Sequence, residues 1–430
     1  MSASPQPLNG ANKTPMPDAV RRRNINGTAQ AGARVNGLAK ASNSSIPIAT
    51  RKQQLPLLRR CKRFAVKHTW SIPLALVLSF LALYALNPTE SNPISHFIFL
   101  SYKEEAPKGA DPDAPAQYGK GLWDVAFVVF YVIVLSFTRE FIMQELLYPL
   151  ARAHIKTRRK QARFMEQAYT AIYFGVLGPA GLYVMRQTPV WYFNTRGMYE
   201  LFPHRTHAAE FKFYYLFEAA YWAQQAFVML LGMEKPRKDF LELVAHHIVT
   251  LALIGLSYRF HFTYMGIAVY ITHDLSDFFL AVSKSLHYIA PDIMVPFYAA
   301  SVISWIYLRH VLNLRILYSL LTEFRTVGPY ELNWETQQYK CWISNIITFG
   351  LLAMLQALNM FWLYCLLRSA LKFLLTGEKK DDRSETDESE IEYDVPKPLG
   401  DINGHIPMDG SAVPNDNGAD VKANGARYNC

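Results

Sequence analysis

Eight runs of mostly apolar residues punctuate the chain, at about 70–86, 122–142, 168–186, 211–232, 242–258, 263–283, 293–318 and 342–371. Apolar runs of roughly 17–25 residues are long enough to cross the hydrocarbon core of a bilayer as helices. The first two runs are uninterrupted. The third carries Gly178-Pro179 and Gly181, expected to kink it, which membrane helices tolerate. Only Arg259-Phe260-His261-Phe262 separates the fifth run from the sixth, so these two form an antiparallel hairpin. The predicted fold is an all-α polytopic membrane protein with about eight transmembrane helices.

Outside these runs the composition changes sharply. Residues 1–69 hold thirteen Lys and Arg against a single acid, Asp18, in a background of Asn, Ala, Ser, Gly and Pro. Such a segment buries too little apolar surface to offset its chain entropy and is expected to be disordered. The end of the chain reads likewise with the opposite sign, with nine acids from Glu378 to Asp394. The expected organisation is a basic arm (1–69), a first transmembrane helix with its loop (70–119), a membrane domain (120–375) and an acidic disordered tail (376–430). The net charge of +9 thus conceals a basic head and an acidic tail. Basic residues confined to a floppy arm and to membrane edges exclude a nucleic-acid partner.

Orientation follows from the Lys/Arg bias of the loops. The 87–121 loop has three Lys against five acids, whereas the 143–167 loop carries Arg152, Lys156, Arg158, Arg159, Lys160 and Arg163. The basic flanks belong in the cytosol, which places both termini there. The four cysteines are scattered without metal-ligand spacing, so neither a disulfide framework nor a cysteine-held metal is expected. In the tail, Ser384 and Ser389 each have an acid three residues on, which suits an acidophilic kinase. A solvated acidic tail with incidental serines explains the same pattern.

The chemistry lies in the fifth and sixth runs. Val244-Ala245-His246-His247-Ile248-Val249 and Ile271-Thr272-His273-Asp274-Leu275-Ser276-Asp277 set imidazoles and carboxylates in apolar surroundings. Ionisable groups there are costly, which argues for function over mere pinning of helices. Asp274 and Asp277 share a helix face, and His273 and Asp277 are one turn apart. At 1.5 Å per residue, His247 lies about 8 Å inside the cytosolic end of its run, Asp277 about 9 Å and Asp274 about 14 Å. The cluster therefore converges in the cytosolic half of the bilayer. A site there admits a polar headgroup from the cytosol while a lipid tail stays in the membrane.

Acyl transfer fits such a set. A neutral imidazole can take a proton from an attacking amine or hydroxyl, with a carboxylate orienting it, or can carry the acyl group itself. A metal site with two His and two Asp, a transporter and a proton relay are the alternatives. Di-iron chemistry would need further histidine clusters that the chain lacks. Glu218 and Gln224 in the fourth run and Arg309 in the seventh are secondary candidates. Each is about as well explained by helix packing. Lys235, Arg237 and Lys238, or Arg158, Arg159 and Lys160, could hold phosphates as point charges or forks.

The block from Lys238 to Tyr288 closely resembles the signature region of the ceramide synthases, members of the TLC-domain membrane proteins. The resemblance rests on His246-His247-Ile248-Val249-Thr250, Ser257-Tyr258, Gly266, His273-Asp274-Leu275-Ser276-Asp277 and Lys284. His287 stands where many members have Asn. The Tyr221-Trp222 and Arg309-His310 segments fit the same family. The resemblance implies a bundle of the last six helices around a lipid channel, and transfer of a long or very long acyl chain from acyl-CoA to the amine of a sphingoid base. By resemblance His246, His247, Asp274 and Asp277 match required positions; from their own character and placement His273, Glu218, Gln224, Arg309, Lys235, Arg237 and Lys238 are candidates for substrate contact. No cofactor is implied, because acyl-CoA is a co-substrate. Membrane lipid, a small single-span accessory subunit and a homo- or heterodimer are the partners implied, at the endoplasmic reticulum. A non-catalytic lipid transporter or sensor of the same family is the rival reading.

Overall fold

A computed structural model of the chain describes residues 64, 67–105, 115–234 and 238–376. The expectations for the arm and tail and for Lys235, Arg237, Ser384 and Ser389 lie outside the described residues.

Each of the eight apolar runs becomes a helix. They are α1 (Ser71–Leu86), α2 (Trp123–His154), α3 (Arg158–Arg186), α4 (Ala209–Leu230), α5 (Phe240–Arg259), α6 (Thr263–Ile289), α7 (Pro291–Thr322) and α8 (Trp342–Thr376). Six of them, α2, α3 and α5 to α8, are long and apolar enough to cross a membrane by length and composition. The other two differ for opposite reasons. α1 has only 16 residues, none of them buried. α4 is long enough but carries Glu210, Lys212, Glu218, Gln224 and Gln225, and it buries twelve residues among the surrounding helices. Lys212, Glu218 and Gln224 among them are buried.

Several helices outrun their apolar runs. α3 begins ten residues before the expected 168, because Arg158-Arg159-Lys160-Gln161-Ala162-Arg163 is polar but composed of good helix formers. It also runs unbroken past Pro179, where a kink was expected. The glycines of that stretch serve another purpose, close packing of α3 on α6. A Cβ at Gly178 would lie 2.9 Å from Leu275 Cδ2, and one at Gly175 3.1 Å from Phe278 Cε2. Small residues at a helix contact let the backbones approach, which is how membrane helices gain van der Waals packing.

The α5–α6 hairpin marks one end of the bundle, and the basic α2–α3 junction the other. At the hairpin end, Gln117–Tyr118 pairs antiparallel with His207–Ala208. Beneath this pair Lys212 Nζ meets Asp124 Oδ1 at 2.7 Å, and the Tyr258 hydroxyl donates to Asp124 Oδ2 at 2.8 Å. Lys120 Nζ donates to the His204 carbonyl at 2.9 Å and lies 3.3 Å from His261 Nδ1. Thr263 Oγ1 is 2.8 Å from His207 Nε2.

Burial, and then the charge of Lys120, pushes His261 down to about 3. Burial is also the main cause that lowers His204 to about 4. A histidine whose folded value is depressed binds fewer protons folded than unfolded between the two values. Its contribution to stability is complete above about pH 6.5 and is lost as the pH falls toward 4. We expect the melting temperature of the solubilised protein to fall between pH 6.5 and 4, with each histidine contributing a slope of at most about 1.4 kcal/mol per pH unit. The His204→Gln/His261→Gln variant should flatten that decline. An unchanged slope in the variant would refute the assignment.

Candidate functional site

α5 and α6 run antiparallel, and α4 and α8 pack beside them. His246 and His247 are buried on α5 and His273 on α6. Adjacent helical residues point about 100° apart, so the two α5 histidines face different neighbours. The His246 ring centroid lies 6.4 Å from that of His273, nearly parallel, and 5.2 Å from that of Trp362 on α8. Trp222 on α4 lies against both α5 histidines, 5.5 Å from His246 and 6.0 Å from His247.

The hydrogen bonds assign the imidazoles different tasks. His247 Nδ1 lies 2.8 Å from the Leu243 carbonyl, so Nδ1 carries the proton and Nε2 keeps the lone pair. His273 is occupied at both nitrogens. Its Nδ1 donates to the Val269 carbonyl at 2.8 Å and its Nε2 accepts from Asn359 Nδ2 at 3.2 Å. His246 differs from both, because its Nδ1 is buried without a partner.

The two aspartates also part company. Asp277 Oδ1 accepts from Arg309 Nη2 at 2.6 Å. Arg309 is 2% exposed, stacks 3.9 Å over the Trp305 ring, and also bonds Ser276 Oγ, Asn359 Oδ1 and the His273 carbonyl. It is therefore a strut that ties α7 to α6 and α8. It projects from a π-helical stretch, Trp305–Leu312, whose wider turn interrupts α7. Asp274, wholly buried, accepts from the Tyr214 hydroxyl at 2.9 Å. Glu218 similarly accepts from Tyr173 at 3.1 Å. One oxygen of each carboxyl, Asp274 Oδ1 and Glu218 Oε2, is buried without a partner.

Two cavities of about 220 Å³ each meet at this cluster. The first extends from the hairpin end between α5, α6 and α8. Its walls are apolar, including Leu253, Ile254, Val269, Ile347, Leu351 and Leu355, and it ends against His246 and His273. The second opens toward the basic end and is lined by charged and polar groups, among them Arg139, Glu166, Glu234, His247, Asp277, Lys284 and Arg309. Trp222 and His246 are the two residues common to both linings. Asp274, Glu218 and Gln224 line neither cavity. Gln224 is buried and accepts from its neighbour Gln225, which does line the polar cavity. Lys238 is exposed and outside both linings.

The depth arithmetic shifts because α6 continues to Ile289, six residues beyond its apolar run. Asp277 then lies about 18 Å from that helix end rather than about 9 Å. The histidines nevertheless meet across the hairpin. Asn359 binds both His273 and Arg309, and its sequence signal is that of a polar residue within an apolar helix. Glu234 follows α4 in a loop and offers no periodic signal. It reaches Arg139 on α2 at 2.5 Å. Among the described residues, no group of three or more His, Cys, Asp or Glu is placed to hold a metal ion.

A chain with adjacent imidazoles at the junction of an apolar and a polar cavity is built to act on a lipid with a reactive head. Residues 163–368 match the TLC domain family (TRAM, LAG1 and CLN8), a span that holds the α5 histidines, both α6 aspartates and Arg309. Over 365 residues the chain is 53% identical to the sphingosine N-acyltransferase-like protein FUM17 of Gibberella moniliformis, covering 83% of this chain and 94% of that protein. It is 44% identical to the sphingosine N-acyltransferase lac1 of Schizosaccharomyces pombe, with 83% and 93% covered. Against the ceramide synthase LAG1 of Saccharomyces cerevisiae, identity is 47%, with 75% and 78% covered. The chain belongs to the fungal sphingosine N-acyltransferase (ceramide synthase) family. Human ceramide synthase 5, at 30% over 54% of this chain, is a more distant member of the same family. For a ceramide synthase the two-cavity arrangement has a direct chemical sense, since both of its substrates pair a polar end with a long hydrocarbon tail.

Proposed function

We propose that this protein is a ceramide synthase that transfers a fatty acyl group from acyl-CoA to the amine of a sphingoid base. The observation that carries the reading is the junction at His246, where the apolar cavity meets the polar one. The acyl chain lies in the apolar cavity, where burial contributes about 0.8 kcal/mol per methylene. Its thioester carbonyl then stands at His246. The sphingoid headgroup enters the polar cavity, where Glu166, Glu234 and Asp277 suit its ammonium.

An ammonium has no lone pair, so it must lose a proton before attacking. The Nε2 lone pair of His247 faces the same cavity and serves as the base. Asp277 acts through Arg309, and Asp274 through Tyr214, as positioning residues that set the α6 face. Transfer is direct, from thioester to amine. If His246 instead carried the acyl group, one equivalent of CoA would be released without any base present. In this reading the basic end faces the cytosol, where the CoA moiety resides, and Lys235, Arg237 and Lys238 meet its phosphates. Both termini are then cytosolic and the membrane is that of the endoplasmic reticulum. A single-span accessory subunit or a second copy would bind the lipid-facing outside of the bundle. No cofactor is required, because CoA thiolate leaves readily.

The test is release of free CoA and formation of N-acyl product in membranes containing the protein. Dihydrosphingosine and acyl-CoA of graded chain length are supplied. Turnover that needs the base is expected, and the length profile reads out the capacity of the apolar cavity. Ligand binding without CoA release would sink the enzyme reading in favour of a lipid transporter or sensor.

A further inference from the structure

Acyl transfer passes through a tetrahedral species whose carbonyl oxygen becomes an oxyanion, and that oxygen needs a hydrogen-bond donor already in place. The obvious cation is committed elsewhere. Arg309 spends its N–H groups on Ser276, Asn359, the His273 carbonyl and Asp277. The N–H of His273 is held by Val269, and that of His247 by Leu243. The Thr250 and Tyr270 hydroxyls are buried without partners, but they line the apolar cavity alone.

Besides the His246 imidazole, whose own Nδ1 lacks a partner, one donor remains at the junction. Trp222 is 7% exposed, its indole Nε1 has no hydrogen-bond partner, and it lines both cavities beside His246. A buried indole N–H left unpaired costs about 1–3 kcal/mol. Tyr and Trp usually find a partner when buried. An orphan donor at the point where the two substrates must meet is therefore a cost that a bound oxyanion would relieve. The ring is held in place by edge contacts with Tyr221, His246 and His247. Tyr221 in turn stacks on Tyr173 with centroids 3.7 Å apart.

We propose that the Trp222 indole N–H is the oxyanion donor of this acyl transfer, a catalytic role that rests on the acyltransferase reading above. The amine nitrogen attacks the thioester carbon, and the carbonyl π electrons move onto oxygen. Trp222 hydrogen-bonds that oxygen and transfers no proton. Collapse re-forms the carbonyl, the C–S bond breaks with its electrons on sulfur, and CoA leaves as thiolate. His247 Nε2 passes the first ammonium proton to solvent before the attack, and once free again it takes the second proton from the attached nitrogen and delivers it to the thiolate or solvent.

The test compares wild type with Trp222→Phe, which keeps an aromatic ring and removes the N–H, in the CoA-release assay. Loss of one oxyanion donor is expected to lower kcat about 10²–10³-fold while KM for acyl-CoA stays within about threefold. The melting temperature should not move, as a packing role alone would require it to. A variant within threefold of wild-type kcat, or one altered in KM alone, overturns the proposal. If Trp222→Phe fails to accumulate, benzothienylalanine at position 222 decides by the same criteria, because it replaces N–H by sulfur in a ring of nearly the same shape. Absence of turnover in wild type would instead overturn the acyltransferase reading itself.

Discussion

His247→Ala is expected to reduce kcat about 10²–10⁴-fold, the range that a positioned base contributes. The loss should appear in kcat rather than in KM for acyl-CoA, because His247 lines only the polar cavity and the acyl chain occupies the other. Raising the pH should partly restore the variant, since a larger fraction of free amine then arrives without help. Single-turnover measurements across pH 6.5–9.5 check this directly. An unaltered pH dependence, or a loss confined to KM, would remove His247 from the base role. His247→Asn is a useful companion, because its amide can still donate to the Leu243 carbonyl while lacking a basic lone pair.

Arg309→Met is expected to be the most damaging single substitution for stability. The guanidinium is the common partner of Asp277, Ser276, Asn359 and the His273 carbonyl, so its removal takes a buried positive charge and its donors from all four at once. Breaking a buried pair from one side costs about 3–5 kcal/mol, much of it from the charge left behind. Arg309→Met/Asp277→Asn should therefore be more stable than Arg309→Met alone. Thermal melting of the solubilised proteins, followed by the fraction that stays monodisperse, measures the order. If the double variant is the less stable of the two, the strut does not act through charge.

Much of the architecture could be read from the sequence because helices in hydrocarbon must satisfy their own backbone, which makes apolar run length informative. The hairpin of α5 and α6 followed from a four-residue link, but that His246 is the histidine facing His273 did not. The limits of that reading have physical causes. Apolarity does not mark where a helix ends, so α3 begins within the polar stretch 158–163 and α6 runs on through the mixed stretch 284–289. Nor does residue type reveal direction. Asp274 and Asp277 are one turn apart on α6, yet one is sealed against Tyr214 and the other borders the polar cavity. Trp222 reads as an ordinary aromatic in an apolar helix. Only its unpaired N–H and its place between two cavities distinguish it, and both are tertiary facts.

The widened turn at Trp305–Leu312 has a consequence for how α7 keeps time with its neighbours. A helix advances about 100° per residue, and each wide turn makes the residues beyond it lag in phase. Ile316, Leu317 and Leu320, all buried beyond the wide stretch, face the interior because of that lag. The 8 residues of the wide stretch sweep roughly the same angle as about seven in an ordinary helix, so shortening it by one residue would leave this trio facing inward and displace Arg309 instead. A one-residue deletion there should therefore spare the far half of α7 while removing the strut, whereas a deletion just beyond Leu312 should turn the buried face that follows toward lipid.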